Sequence, residues 1–174
     1  MRRPLTEKQL VQVNPDIIYN VKKYVLNIKL WKNITAATKK HLNSVTYKKF
    51  PFNGNIQRHL SKSAKGIYFF TVEPDFQFPP TIVHLLYIGK VEKTDTFHHR
   101  FYDYVGAIGL KDKRRNIQLL TNLWPGKTWV YVFELALPDA DIVTIEDNLL
   151  DSIVPPLNNR FKLKQAKNSR SIYN

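Results

Sequence analysis

The sequence has no cysteine among its 174 residues, and it has no apolar run long enough to cross a membrane. The absence of cysteine excludes disulfide bonds, cysteine-based zinc ribbons and thiol nucleophiles. A membrane-spanning helix needs about 20 consecutive apolar residues, and the apolar runs here are much shorter. The first residues, MRRPLTEKQL, also lack the apolar core of a secretory signal. We therefore expect a soluble, cytoplasmic protein that does not bind a membrane.

Acidic residues are scarce at both ends of the chain. Residues 1–65 hold 14 Lys and Arg against two acidic residues, and residues 160–174 hold five against none. Residues 66–159 hold 8 basic and 12 acidic residues, so the middle is mildly acidic. Basic flanks favour a polyanionic partner, because each neutralised phosphate releases condensed counterions. Nucleic acid fits better than a membrane surface, since no segment joins a basic face to a continuous apolar one. A surplus of solvated lysines is the simpler alternative.

The composition predicts one folded domain with appendages. Hydrophobic residues make up 43% of the chain and aromatic residues 13%, which is enough for a packed core. The length is too short for two ordinary domains. We predict a basic helical N-terminal extension at residues 1–65 that contacts DNA, a central domain at residues 66–159 and a basic C-terminal tail at residues 160–174.

Three segments of the central domain read as strands. They are residues 66–73 (GIYFFTVE), 81–91 (TIVHLLYIGKV) and 128–137 (TWVYVFELAL). Each is rich in β-branched and aromatic residues and is bounded by turn residues. The fold class predicted from them is α/β (α+β), with a small, mainly antiparallel three-stranded sheet flanked by helices.

Helical patterns precede, separate and follow these strands. In the N-terminal extension they cover residues 17–31 and 34–45, and residues 47–65 read as a loop. In the central domain, Asp95 or Thr96 can cap a helix that carries Arg100 and Tyr104, which are four residues apart and therefore share a face. Further patterns predict a loop at 111–115, a short helix at 116–124 and a final helix at about 139–154.

An acidic residue lies inside the apolar stripe of the final helix. Glu146 comes four residues after Ile142 and three before Leu149. Burying a carboxylate costs several kcal/mol unless a cation or metal compensates it. A glutamate at the edge of the stripe that reaches solvent or an arginine is the alternative.

These residues together resemble the GIY-YIG nucleases. The family pattern is a Gly-Ile-Tyr strand, a Tyr-Ile-Gly strand, an arginine on the next helix, a glutamate on a later helix and an asparagine after a turn. Here those positions are filled, in order, by Tyr68, Tyr87, Arg100, Glu146 and Asn158. The resemblance covers residues 66–159. It implies the GIY-YIG fold and metal-dependent hydrolysis of phosphodiester bonds in DNA.

The resemblance also implies a role for each residue. Glu146 would hold Mg²⁺ or Mn²⁺, which prefer oxygen ligands. Arg100 would hold a phosphate oxygen through its planar fork of donors. Tyr68 would accept the proton of the attacking water, with its pKa lowered by the metal and the arginine. Tyr87 would position the water or the phosphate, and Asn158 would orient the site by hydrogen bonding.

The chain departs from the family pattern at two places. The spacing between Tyr87 and Arg100 implies an insertion at about residues 92–95. Tyr104 stands where many members have a histidine, so it would assist or replace Tyr68, and the identity of the proton acceptor stays open. For the strand tyrosines, ordinary core aromatics are the alternative.

The resemblance extends to the type of nuclease and to its partners. The chain is similar to small stand-alone restriction endonucleases, which implies a homodimer that cuts double-stranded DNA. A structure-specific repair or mobile-element nuclease and a non-catalytic nucleic-acid-binding module are the alternatives. The residues that we expect to contact DNA are Lys90, His99, Lys113, Arg114, Arg115, Lys162 and Lys164.

Overall fold

The computed structural model describes residues 28–73, 83–106 and 115–171. The fold class is mixed α and β, as predicted. In chain order the elements are a 3-10 helix (Ile28–Asn33), α1 (Ala36–Asn43), β1 (Lys48–Pro51), a second 3-10 helix (Ile56–His59), β2 (Gly66–Val72), β3 (His84–Val91), α2 (Phe97–Gly106), α3 (Arg115–Leu123), β4 (Thr128–Glu134), α4 (Asp139–Ile153) and α5 (Lys164–Ser171). Among these described helices, none has the length and apolar character needed to cross a bilayer.

The sheet has four antiparallel strands, in the order β1-β4-β2-β3. The prediction of three strands was wrong, because β1 and a 3-10 helix lie in the segment predicted to be a loop, residues 47–65. Strand β1 has only four residues, two of which are lysines and one a proline, so it carries no alternating apolar pattern. Such residues are tolerated there because β1 is an edge strand and pairs only with β4.

Most other predicted elements are present with small changes of boundary. Strands β2 and β4 and helices α1, α2 and α4 lie within their predicted segments, while α3 begins one residue early, at Arg115. Thr96 caps α2, since its Oγ1 accepts a hydrogen bond from the backbone N–H of His99 at 3.2 Å. Of the helix predicted at residues 17–31, the described part belongs to the 3-10 helix Ile28–Asn33. Its residues before 28, the first residues of the second predicted strand (81–82) and residues 111–114 lie outside the described ranges.

The sheet separates two hydrophobic cores. On one face, Tyr68 and Phe70 of β2 pack with Phe101 of α2 and with residues of α3 and β4. On the other face, Ile67 and Ile88 pack against the apolar stripe of α4. The alternation of side chains along β2 therefore sends Tyr68 toward α2 and its neighbour Ile67 toward α4.

The glycines of the two motif strands lie where a side chain would collide with a neighbour. A Cβ atom on Gly66 would be 2.0 Å from the carbonyl oxygen of Phe133, and Gly66 has a φ of +145°. A Cβ on Gly89 would be 2.3 Å from both Cζ and Oη of Tyr68, the residue opposite it on β2. The GIY glycine thus permits close approach of β4. The YIG glycine makes room for the ring of the GIY tyrosine.

Candidate active site

The predicted catalytic residues line a single cleft of about 530 Å³. Strands β2 and β3 contribute one tyrosine each, α2 contributes two side chains, and α4 and the segment that follows it contribute one each. The six residues are Tyr68, Tyr87, Arg100, Tyr104, Glu146 and Asn158. The fold therefore brings together side chains that are up to 90 positions apart in the sequence.

Three tyrosine side chains form one wall of the cleft. Tyr68 is 1% exposed, and its hydroxyl makes a short hydrogen bond to the hydroxyl of Tyr104. Tyr87 pairs with Phe70 across the sheet and so projects on the same face as Tyr68, with 6.3 Å between the two ring centroids. Tyr68 is thus both a core aromatic and a residue of the cleft.

Burial keeps the phenols of Tyr68 and Tyr87 protonated. Burial, with the neighbouring phenol oxygens of Tyr104 and Tyr87, raises the pKa of Tyr68 well above its ordinary value, and the positive charge of Arg100 acts in the opposite direction. Burial likewise raises the pKa of Tyr87. These shifts are opposite to the lowered pKa that we predicted for a proton acceptor, so that role needs additional positive charge in the cleft.

Arg100 is held on one side of its guanidinium by a carboxylate. Its Nη2 lies 2.5 Å from Oδ2 of Asp95, which is in the predicted insertion. The other oxygen of Asp95 accepts a hydrogen bond from the backbone N–H of Thr96 and lies 2.8 Å from Nδ1 of His99. Although desolvation opposes them, the contact with His99 and the charge of Arg100 lower the pKa of Asp95. Asp95 therefore remains charged and fixes the orientation of the arginine.

The Nε atom of Arg100 is buried and has no hydrogen-bond partner among the described residues. A buried guanidinium donor without an acceptor is costly. Because Arg100 lines the cleft, an anionic oxygen bound there would satisfy this donor.

Glu146 has a cationic partner, which explains how its position in the apolar stripe of α4 is tolerated. Its Oε2 lies 2.9 Å from Nζ of Lys90, on β3, and its side chain is only 14% exposed. Burial raises the pKa of Glu146, and the contact with Lys90 opposes the rise only in part. The carboxylate is therefore incompletely compensated and would gain from further positive charge.

The donor set around Glu146 fits a hard divalent cation that keeps most of its waters. The side chains of Glu92 and Asp147 line the same cleft and add oxygen atoms. In the described ranges, however, no three His, Asp or Glu side chains come together as a closed metal cage. Mg²⁺ commonly binds through one or two carboxylates, water and substrate phosphates, so one strong ligand is sufficient.

Asn158 binds the backbone of the YIG strand. Its Oδ1 accepts from the N–H of Ile88 at 2.9 Å, and its Nδ2 donates to the C=O of Ile88 at 2.8 Å. The preceding residue, Leu157, donates its N–H to the carbonyl of Leu86. Strand β3 is at the edge of the sheet, and this segment satisfies its outer backbone groups. Asn158 thereby fixes the backbone between Tyr87 and Gly89.

We predict that Asn158→Ala lowers the free energy of unfolding by about 1–3 kcal/mol, because it leaves a buried N–H and C=O of Ile88 without partners. Chemical denaturation measures the change. Asn159→Ala is the matched control, since Asn159 is the next residue and is exposed. An equal loss of stability in both variants would contradict the role of the Asn158 amide.

The residues that we expected to contact DNA have different surroundings. Lys90 is paired with Glu146, Lys162 with Asp147, and His99 is exposed beside Asp95. Lys164 is exposed at the start of α5, and Arg115 begins α3. Lys113 and Arg114 lie outside the described residues. Contact with DNA stays a prediction for all of them.

Several side chains of the cleft were not predicted as site residues: Glu92, Asn116, Asp147, Asn159 and Arg160. Asp95, predicted only as a possible helix cap, was also not identified as the partner of Arg100. Arg160 could have been identified from the sequence, because it comes two residues after Asn158. The other residues could be identified only from the three-dimensional structure.

Comparisons with known proteins gave no relatives. No protein-family model matches the chain, and neither the curated proteins nor the solved structures searched include a match. The likeness to the GIY-YIG nucleases therefore rests on the sequence pattern of this chain, and membership of that family stays a proposal.

Proposed function

We propose that this chain is a metal-dependent DNA endonuclease that hydrolyses phosphodiester bonds by the chemistry of the GIY-YIG nucleases. One observation carries the proposal: six polar side chains from four elements and a loop converge on one cleft, in the order expected for that family. The buried Nε of Arg100, which has no partner among the described residues, supports it further, because a phosphate oxygen is the type of acceptor that this donor lacks.

In the proposed reaction, a water oxygen attacks the phosphorus while the bond to the leaving 3′ or 5′ oxygen breaks. Arg100, oriented by Asp95, binds a nonbridging phosphate oxygen and stabilises the charge that develops on it. Tyr68 or Tyr104 accepts the proton of the water, and Tyr87 positions the water or the phosphate. Asn158 holds the strand that carries Tyr87. Glu146 would hold a divalent cation, which would supply positive charge to the reacting groups.

In this scheme Lys90 can pair either with Glu146 or with the phosphate. In the free protein its ammonium group lies 2.9 Å from Oε2 of Glu146 and 3.8 Å from Oε1 of Glu92. A divalent cation at Glu146 would compete with that contact and leave Lys90 available to the phosphate. Lys90 would thus pair with Glu146 in the free protein and with the phosphate when metal and DNA are bound.

The proposal extends to cleavage of double-stranded DNA by a homodimer, as in small restriction endonucleases. The strongly basic flanks support binding of a duplex. Discrete fragments from linear duplex DNA would support restriction, whereas nicks at branch points would indicate a repair or mobile-element nuclease.

The test is cleavage of plasmid DNA with and without Mg²⁺ or Mn²⁺. We expect the wild-type protein to cut only with the metal and Glu146→Gln to lose cleavage while it still binds DNA. Asp141→Asn is the control, because Asp141 is an exposed acidic residue of the same helix. If the purified wild-type protein leaves plasmid, single-stranded and branched DNA intact with every divalent cation tried, the proposal is wrong.

The rate of cleavage should rise with pH. Tyr68 has a raised pKa, so its phenolate is scarce at neutral pH. A step that needs the phenolate should therefore accelerate about tenfold per pH unit until the pH approaches the pKa of the proton acceptor. Single-turnover rates measure this slope.

The variants Tyr68→Phe and Tyr104→Phe identify which tyrosine is the proton acceptor. Tyr102→Phe is the control, because Tyr102 is an exposed tyrosine of the same helix as Tyr104. A rate that does not change with pH would contradict a tyrosine proton acceptor.

A further inference from the structure

The basic C-terminal segment contains a folded helix, although the sequence predicted only a tail. Residues 160–174 hold five basic residues and no acidic ones. Helix α5 occupies Lys164–Ser171. Its residue Ala166 is 0% exposed in the core shared with α4, while Lys164 and Lys167 are exposed. These two lysines are three residues apart and so share a face of the helix.

A buried carboxylate fixes the beginning of this helix. Asp151 of α4 is 5% exposed. Its Oδ1 accepts the backbone N–H of Lys162 at 2.8 Å, and its Oδ2 accepts that of Leu163 at 3.1 Å. Phe161 packs into the same core as α4. The segment before α5 is therefore attached to the helix that carries Glu146.

The same segment leads directly out of the candidate active site. Asn159 and Arg160 line the cleft, and Lys162 pairs with Asp147, the residue after Glu146, at 2.5 Å. The chain thus passes from the cleft to α5 within a few residues. An eight-residue helix is about 12 Å long, which corresponds to three or four base steps of a DNA strand at about 3.4 Å each.

We infer that the exposed face of α5, with Lys164 and Lys167, binds the phosphate backbone of duplex DNA beside the scissile phosphate. The inference rests on the proposed function. Asp151 holds the segment that connects the cleft to α5, so lysines on α5 are placed to meet phosphates next to the one bound in the cleft. Because α4 carries both Glu146 and Asp151, one helix would set the distance between the cleft and this backbone contact.

The test is binding of a duplex oligonucleotide at several salt concentrations, with Ca²⁺ in place of Mg²⁺. The variants are Lys164→Ala, Lys167→Ala and the double variant. Removal of each lysine–phosphate interaction should make the slope of log K against log salt less steep by about one, so the double variant should change it by about two. The melting temperature should not change, because both side chains are exposed. Gln165→Ala is the control: Gln165 is an exposed, neutral residue of the same helix and should leave the slope unchanged.

The outcomes separate the inference from the proposed function. If the wild-type protein cuts DNA and the double variant keeps the wild-type slope, the nuclease proposal stands and the α5 contact is wrong. If the double variant shows the predicted change of slope but the wild-type protein never cuts DNA, the contact stands and the nuclease proposal fails. If the wild-type protein does not bind the duplex, the inference is overturned.

Discussion

Arg100→Ala is expected to lower the single-turnover rate of DNA cleavage by about 10³-fold, while binding of DNA changes little. Arg100 lines the cleft, its Nη2 is held by Asp95, and its Nε is buried without a partner among the described residues. This geometry leaves part of the guanidinium available for a phosphate oxygen. The interaction should be strongest when charge develops on the phosphate, so its loss should slow the chemical step.

Two further variants test whether the effect is specific to the guanidinium of Arg100. Arg100→Lys keeps the charge but loses the planar fork, so it should recover only part of the rate. Arg58→Ala removes an exposed arginine from the second 3-10 helix and should leave the rate unchanged at saturating DNA. Full activity of Arg100→Ala would exclude the proposed role of the arginine.

Gly89→Ala is expected both to destabilise the fold and to impair cleavage. The added Cβ would lie 2.3 Å from Cζ and Oη of Tyr68. The ring of Tyr68 is 1% exposed and packs against Phe70, Phe101 and Tyr104, which resist its displacement. Overpacking of this kind costs about 1–3 kcal/mol. A shift of about 1 Å in the tyrosine should lower the cleavage rate by about 10²-fold.

Denaturation and cleavage of the same Gly89→Ala preparation measure both effects. Gly106→Ala is the matched control, because a Cβ at Gly106 meets no atom within 4 Å and the residue ends helix α2. That control should be neutral or slightly stabilising, as alanine is the better helix former. If Gly89→Ala is as stable and active as the wild type, Tyr68 is not positioned by its contact with Gly89.

Local patterns in the sequence predicted the elements that bury a continuous apolar face. Strands β2 and β4 and helix α4 show strong periodicity, and their positions agree closely with prediction. Strand β1 could not be found in this way, because four residues with two lysines and a proline resemble a loop. What makes them a strand is pairing with β4, about 80 residues later in the sequence. This is a tertiary contact that no local pattern encodes.

In the candidate site, too, the sequence predicted which residues to consider, while their partners depend on tertiary contacts. The family pattern selected five residues, Tyr104 was added as a departure from it, and the fold brings all six to one cleft. The position of Glu146 in the apolar stripe of the final helix predicted that its burial would require a cation, and the structure contains one. The identity of that cation, Lys90, depends on how α4 packs against β3. The contact between Asp95 and Arg100 likewise depends on the conformation of the insertion, which spacing alone detected but did not describe.

The most direct test of the central claim is cleavage of a labelled DNA duplex in water enriched in ¹⁸O, with Mg²⁺ or Mn²⁺. Hydrolysis by the proposed cleft predicts shorter products that carry ¹⁸O on the new terminal phosphate, as measured by mass spectrometry. The same assay with Glu146→Gln should yield uncut duplex. Uncut duplex from the wild-type protein, or products without ¹⁸O, would contradict the account.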